Sequence, residues 1–263
     1  MSSTKKGFPL STTVNNYHRL HNVKPSWCYN WNNVISSNSS DNSKLLGLLN
    51  ADSVDYFPML WGKSWSIDNA LSALGSGKTP SFILGFNEPD LSNQANLTVA
   101  DAVTRWGEIV DAVPSTVKLV GPAVSDGAWT WYNNFYDALV SDGLRFDAIP
   151  FHCYRTDFSD WTGASTGIQA AANKYSKPIW VTEYGYVNWS STVLNGLPGR
   201  NNALALSTLK SFTQFLESSD VVDRYCPYIV NNVNNYPPTN SWYNFAGFTN
   251  DAANDFLKWY ASL

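Results

Sequence analysis

Two glutamates draw attention because each follows directly on an apolar run. Phe82-Ile83-Leu84-Gly85-Phe86 leads into Asn87-Glu88-Pro89-Asp90. The run reads as a buried strand. Pro89 has no amide hydrogen to give to a ladder, so the strand should stop there. Ile179-Trp180-Val181-Thr182 leads in the same way into Glu183-Tyr184-Gly185. Two strands that each deliver one Glu at a C-terminal end can supply the paired carboxylates of glycoside hydrolysis. The plainer reading of Asn-Glu-Pro alone is a polar turn after a strand, and of the two glutamates a solvated pair of strand ends.

The rest of the chain must position that pair. Apolar runs at Gly7–Ser11, Pro25–Trp31, Val54–Leu60, Phe82–Phe86, Lys118–Pro122, Phe146–Tyr154, Ile179–Gly185 and Arg224–Val230 read as strands. Helical spacing falls between them, at 44–49, 66–74, 98–113, 131–140, 165–175 and 202–216, with a last helix near 252–260. Thr98 with Asp101 three residues on makes a near capping box for the third of these. Residues 12–24 carry no clear pattern, 32–43 read as an Asn- and Ser-rich loop, and 185–199 as a long loop. Strand and helix alternate from end to end, which argues a parallel sheet with crossover helices. In such a barrel the C-terminal strand tips carry the chemistry. An open doubly wound sheet is the alternative, with no GxGxxG or P-loop to support it. No linker, repeat or charge block divides the chain. The expected fold is therefore an α/β (β/α)8 TIM barrel forming one catalytic domain over 1–263. Residues 1–6 are expected to be disordered or an addition to a mature chain.

At 263 residues the chain matches the roughly 250 typical of such barrels. The net charge of −4 suggests no nucleic-acid partner. No run is long and apolar enough to span a bilayer. Aromatic residues are abundant, with 12 Trp and 14 Tyr; their faces suit sugar C–H faces, though many must be core. Cys28, Cys153 and Cys226 form no CxxC or metal spacing and sit in strand-like runs, so buried free thiols are expected. No His/Cys/Asp cluster has ligand spacing, so no metal and no cofactor are expected. The N-terminus lacks the apolar core of a signal peptide. Sequons at Asn38, Asn96 and Asn188 favour an extracellular or cell-wall location only slightly.

Five stretches together carry a resemblance. They are Trp27-Cys28-Tyr29-Asn30-Trp31, Pro58-Met59-Leu60-Trp61-Gly62, Leu84 to Asp90, His152-Cys153-Tyr154 and Trp180 to Gly185. In order and spacing the chain resembles glycoside hydrolase family 128, fungal and bacterial β-1,3-glucanases of the retaining (β/α)8 clan. The resemblance runs from about Gly7 to the C-terminus. It implies that Glu88 follows strand four as the acid/base and that Glu183 follows strand seven as the nucleophile. His152 and Tyr154 then fall on strand six, where the clan carries residues that support the nucleophile. This count needs Gly7–Ser11 to be strand one; otherwise an eighth strand must come from Trp242–Phe248. The polar loops after Trp31 and Val230 depart from the family's usual pattern.

The substrate is then expected to meet Asn87, Tyr29, Asn30, Trp61, His152 and Tyr154, with Trp129, Tyr184 and Tyr228 also at the mouth and Trp131 and Trp189 as weaker candidates. Asn87 could hydrogen-bond a sugar 2-OH and Tyr154 could donate to the nucleophile. The expected activity is endo-acting, retaining hydrolysis of β-1,3-glucan oligo- or polysaccharide by a monomer. Two competing readings are another barrel glycosidase, such as a β-mannanase or β-1,4-glucanase, and a β-glucan-binding barrel that barely cuts.

Overall fold

A computed structural model describes residues 3–75, 77–155, 158–188, 203–228, 243–244, 248–249, 252–253 and 255–263. Strands and helices alternate through it: β1 (Gly7–Pro9), α1 (Tyr17–Val23), β2 (Trp27–Tyr29), α2 (Ser39–Asp52), β3 (Asp55–Tyr56), α3 (Ile67–Leu71), β4 (Phe82–Leu84), α4 (Val99–Ala112), β5 (Lys118–Val120), α5 (Trp129–Ser141), β6 (Ile149–Arg155), α6 (Phe158–Tyr175), β7 (Ile179–Asn188), α7 (Ala203–Ser218) and β8 (Val222–Pro227). Three two-residue strands follow, β9 (Tyr243–Asn244), β10 (Phe248–Thr249) and β11 (Ala252–Ala253), before α8 (Asp255–Ala261). This is an α/β fold.

The first eight strands pair in parallel, β1-β2-β3, β4-β5 and β6-β7-β8. Isolated parallel bridges join the pieces: Met59 to Leu84, Val120 to Ala148, and Lys6 to Tyr225. A fourth, Asn87 to Ala123, continues the β4-β5 pairing up to the first glutamate. Successive strand residues point to opposite faces, and here the two faces bury different cores. Trp27, Tyr29, Phe57, Leu84, Val120, Trp180 and Cys226 form an inner cluster. Trp27 and Trp180 lie 5.3 Å apart and Phe57 and Trp180 5.6 Å apart, ring to ring. Their neighbours Cys28, Tyr56, Ile83, Leu119, Ile179 and Tyr225 face the helices, with Leu45, Trp106, Phe135, Ile168 and Phe212. Burial on both faces explains why these strands read as unbroken apolar runs.

Helix starts follow capping chemistry. Thr98 Oγ1 accepts from Asp101 N at 3.1 Å, and Ser66 accepts from Asn69 N. Asn38 accepts from both Ser40 N and Asp41 N. That cap starts α2 at Ser39, inside a stretch whose composition reads as loop. Residues 12–24, without a pattern in sequence, contain a 3-10 turn at Val14–Asn16 and then α1.

Two expectations need correction. Residues 3–6 are not disordered. Ser3 donates to Glu217 at 2.7 Å, Lys5 Nζ to the carbonyls of Glu217 and Ser219, and fully buried Lys6 to that of Tyr260. Second, β7 does not stop at Glu183. It continues to Asn188, where Val187 and Asn188 pair antiparallel with β9. The preferred strand count holds: Gly7–Pro9 forms β1 and pairs with β2, and β8 pairs parallel with β7, so no eighth strand is needed from Trp242–Phe248. Trp189 and residues 229–242 lie outside the described residues.

Cys28, Cys153 and Cys226 are free and buried. Burial pushes the Cys153 thiol up to about 12 and raises those of Cys28 and Cys226 well above the ordinary value. Titration of the native protein with a thiol reagent should therefore find none of them reactive, and denaturation should release all three. Prompt reaction of the native chain would contradict this packing. A second outcome concerns Gly121, where an added Cβ would lie 2.1 Å from the hydroxyl of Tyr136, which itself holds the Pro122 carbonyl at 3.0 Å. Gly121→Ala should destabilise the fold by about 1–3 kcal/mol, read as a lowered Tm.

Candidate active site

The glutamates emerge from different strands but meet. Glu88 lies just beyond β4, with its amide held by the Ala123 carbonyl at 2.7 Å. Its φ of 42° lies in the left-handed region, unusual for any non-glycine and more so before proline. Asp90 fastens the same turn by accepting from Ser125 N at 2.9 Å and from the Ser125 hydroxyl. Glu183 sits where the pairing of β7 with β8 shifts register between Val181 and Tyr184. On the other side, β6 shifts between Phe151 and His152. Such irregularities re-aim side chains next to active sites.

One oxygen of Glu88, one of Glu183 and a ring nitrogen of His152 all lie within 4.8 Å of one another. His152 Nδ1 is 2.9 Å from Glu88 Oε1, and Nε2 is 3.6 Å from Glu183 Oε1. The imidazole is wholly buried. Burial alone would lower its pKa. The charges of Glu183, Glu88 and Asp90 and the hydrogen bond to Glu88 outweigh that, and the pKa is raised. Glu183 receives two further donors: Trp31 Nε1–H to Oε1 at 2.6 Å, and the Tyr154 hydroxyl to Oε2. Burial, then the neighbouring Glu183 charge, hold the Tyr154 phenol well above its ordinary pKa, so it remains a donor. Tyr228 packs edge-on against both Trp31 and Tyr154, at 5.9 Å from each ring.

The remaining expected residues divide. Asn87 is buried beside Glu88; its amide nitrogen donates to Gln94 Oε1 at 3.2 Å, and its Oδ1 has no partner among the described residues. Trp61 is partly buried, and its carbonyl accepts from Asn87 N at 2.9 Å. His152 and Trp129 line one small cavity together with Asp126 and Ile168. Trp129 is exposed at the start of α5, whereas Trp131 packs on Phe135.

Three residues expected at the mouth have other engagements. Tyr29 is fully buried and donates to the Thr182 carbonyl at 2.9 Å. Tyr184 is fully buried on the opposite face from Glu183, with its hydroxyl on Thr213. Asn30 spends both ends of its amide within the fold. Its nitrogen donates to the Val34 and Ile35 carbonyls, and its oxygen accepts from Tyr56 OH at 2.7 Å. This fixes the loop that presents Trp31, whose φ is 57°.

Trp31 is the site residue that sequence reasoning passed over. Its signal was an aromatic one residue beyond an expected strand-end amide. The convergence of Glu88, His152 and Glu183 was also hidden, because the three come from separated stretches of the chain.

The family described as "Glycosyl hydrolase catalytic core" matches residues 7–260. Alkali-sensitive linkage protein 1 of Schizosaccharomyces pombe (strain 972 / ATCC 24843) is 30% identical over 204 residues, 76% of this chain but only 33% of that protein's own length. A subgroup I endo-β-1,3-glucanase of family 128 from Amycolatopsis mediterranei, solved as a mutant with laminaritriose and laminaribiose, superposes with a TM-score of 0.75. It is 26% identical, with 98% of this chain and 99% of that one covered. A subgroup III curdlan-specific exo-β-1,3-glucanase from Blastomyces gilchristii, solved with glucose, shares the fold at a TM-score of 0.72 and 22% identity, covering 99% of both chains. With its catalytic-core match running through both glutamate-bearing strands, the chain belongs to the glycosyl hydrolase catalytic core family and, within it, to glycoside hydrolase family 128.

Proposed function

We propose that this chain is a retaining, endo-acting β-1,3-glucanase. The observation that carries the reading is the approach of Glu88 and Glu183 to within 4.8 Å. Retaining enzymes hold their carboxyl groups about 5–5.5 Å apart, whereas inverting ones leave about 6.5–9.5 Å for a water. The linkage comes from the relatives: the Amycolatopsis enzyme binds laminari-oligosaccharides and the Blastomyces enzyme is specific for curdlan. Endo action follows the more similar of those two. We further read the three parallel bridges between the strand groups as closing β1 to β8 into one (β/α)8 barrel, a single catalytic domain that acts as an extracellular monomer.

In this mechanism Glu183 is the nucleophile. Its two donors, Trp31 and Tyr154, fix the orientation of the carboxylate. It attacks the anomeric carbon while Glu88 gives a proton to the departing glycosidic oxygen, leaving a glycosyl ester on Glu183. Glu88, now ionised, takes a proton from water as that water attacks the anomeric carbon, breaking its bond to the Glu183 oxygen and releasing Glu183 as a carboxylate. His152 steers the acid through its hydrogen bond to Oε1. Asn87 Oδ1 is an acceptor that a sugar hydroxyl would satisfy. Tyr228 extends the aromatic wall beside the nucleophile.

Glu183→Ala should abolish turnover of linear β-1,3-glucan yet keep laminari-oligosaccharide binding, and azide should restore turnover as a glycosyl azide of inverted configuration. Undiminished hydrolysis by this variant would refute the assignment. Trp31→Phe keeps a ring and removes one donor. Loss of one hydrogen bond to a charged group costs about 1.5–3 kcal/mol, so kcat should fall roughly 10- to 100-fold with KM little changed. Products from linear β-1,3-glucan should form a ladder of oligosaccharides. Release of one short product throughout would move the chain to the exo class, and faster turnover of cellulose or mannan would replace the substrate.

A further inference from the structure

We propose that His152 and Glu183 together form a binding site for a divalent first-row transition ion, with zinc as the representative, and that the ion occupies the nucleophile and inhibits the enzyme. The inhibitory consequence rests on the function proposed above; the binding itself does not.

A cluster of carboxylates is not a metal site by its charge alone. The distinguishing feature is His152 Nε2. This atom is buried and has no hydrogen-bond partner among the described residues. It faces Glu183 Oε1 at 3.6 Å, too far for a hydrogen bond. Two ligands each about 2.1 Å from a zinc ion, at the tetrahedral angle, stand about 3.4 Å apart. The gap therefore suits an ion bridging the nitrogen and the oxygen.

The opposite side of the ring has the arrangement that metal-binding histidines use. An ionised carboxylate only accepts hydrogen bonds. In the state that takes the ion, with Glu88 ionised and the imidazole neutral, Nδ1 carries the proton across the 2.9 Å contact to Glu88 Oε1 and Nε2, having given its proton to water, presents its lone pair toward Glu183. A carboxylate behind a ligating imidazole fixes its tautomer and raises its basicity. Glu88 thus acts on the ion through His152. Glu183 Oε1 already accepts from Trp31 Nε1 at 2.6 Å, but a carboxylate oxygen has a second lone pair. The donor set, one imidazole and one carboxylate, suits zinc, copper or nickel better than magnesium or calcium. Bound there, the ion would tie up the electron pair with which Glu183 attacks, and an oligosaccharide reaching the same oxygen would compete with it.

The test is calorimetric titration of the chelator-treated full chain with Zn2+, beside hydrolysis assays on linear β-1,3-glucan. Chelation should leave turnover intact, and added Zn2+ should bind one ion per chain and inhibit. Saturating laminaritriose should weaken zinc binding several-fold. His152→Gln and Glu183→Gln should each lose zinc affinity at least tenfold, and Glu88→Gln about 10- to 100-fold through its hold on the ring. The other histidine–carboxylate contact, His21 to Asp52 at 2.8 Å, is exposed and serves as a control: His21→Ala should change nothing. Absence of binding at 1 mM (about the weakest affinity worth assigning) would overturn the proposal. So would binding unaltered by His152→Gln, or lost in His21→Ala. Should the His152 variant fail to fold, indifference of wild-type zinc affinity to laminaritriose would overturn it equally. Zinc binding without glucan hydrolysis would instead defeat the proposed function and leave the site standing.

Discussion

Two carboxylates within 4.8 Å of each other repel where both are charged, and the architecture of the site follows from containing that repulsion. Like charges at such range cannot both stay ionised unless something offsets them. A buried imidazole lies between them, 2.9 Å from one and 3.6 Å from the other. Its raised pKa is the reciprocal statement of the same electrostatics: the two glutamates favour the imidazolium more than burial disfavours it. The donors are unequally shared. Glu183 has an indole and a phenol in addition to its imidazole neighbour, whereas Glu88 has the imidazole. That asymmetry sets the two carboxylates in different surroundings, and it agrees with the order of roles that the family resemblance implies.

Each donor is itself held. Trp31 rides on a loop that Asn30 pins from both ends of its amide, with Tyr56 completing the network. Tyr154 is oriented through its backbone, whose amide donates to Asp126 Oδ2 at 3.1 Å. Tyr29 reaches from β2 to the carbonyl of Thr182, immediately before Glu183. Beneath these contacts lies the inner aromatic cluster of Trp27, Phe57 and Trp180. Large rings with few rotamers give a stiff floor, and positions near the catalytic atoms must be held to fractions of an ångström. The buried rings therefore hold in place the strands that carry the two carboxylates.

The alternation of strand and helix was legible because parallel strands buried on both faces must be apolar throughout, and the two interrupting glutamates stood out against that background. The count of eight followed from accepting the short run at Gly7. What was not legible turns on the period of two along a strand. Glu183 and Tyr184 are neighbours, so one faces the cleft and the other the helices, and Tyr184 accordingly meets Thr213. Asn30 has turn chemistry in its composition, yet nothing local says that its amide closes on Val34 and Ile35 and not on a ligand. Asn38 looked like loop because a cap residue belongs to neither state. Residues 3–6 looked dispensable because their partners, Glu217, Tyr225 and Tyr260, lie more than 200 positions away.

The backbone tells the same story from the side of strain. Among the non-glycine residues with positive φ, Trp31 and Glu88 are the two that reach the carboxylate cluster. Each such conformation costs on the order of 1–3 kcal/mol and persists only where its surroundings over-determine it. Both are over-determined. Glu88 is held by Ala123, by Pro89 and by the Asp90–Ser125 clasp; Trp31 is held by Asn30 on one side and by Tyr29 and Tyr228 ring contacts on the other. The register shifts in β6 and β7 fall at His152 and just beside Glu183. Regular parallel strands would splay the side chains at their ends; departures from regularity at these points accompany the approach of Glu88, His152 and Glu183 to within 4.8 Å. The regular, apolar lower part of the strands supplies the stability against which those departures are held, which is why the sequence is most predictable below the site and least predictable within it.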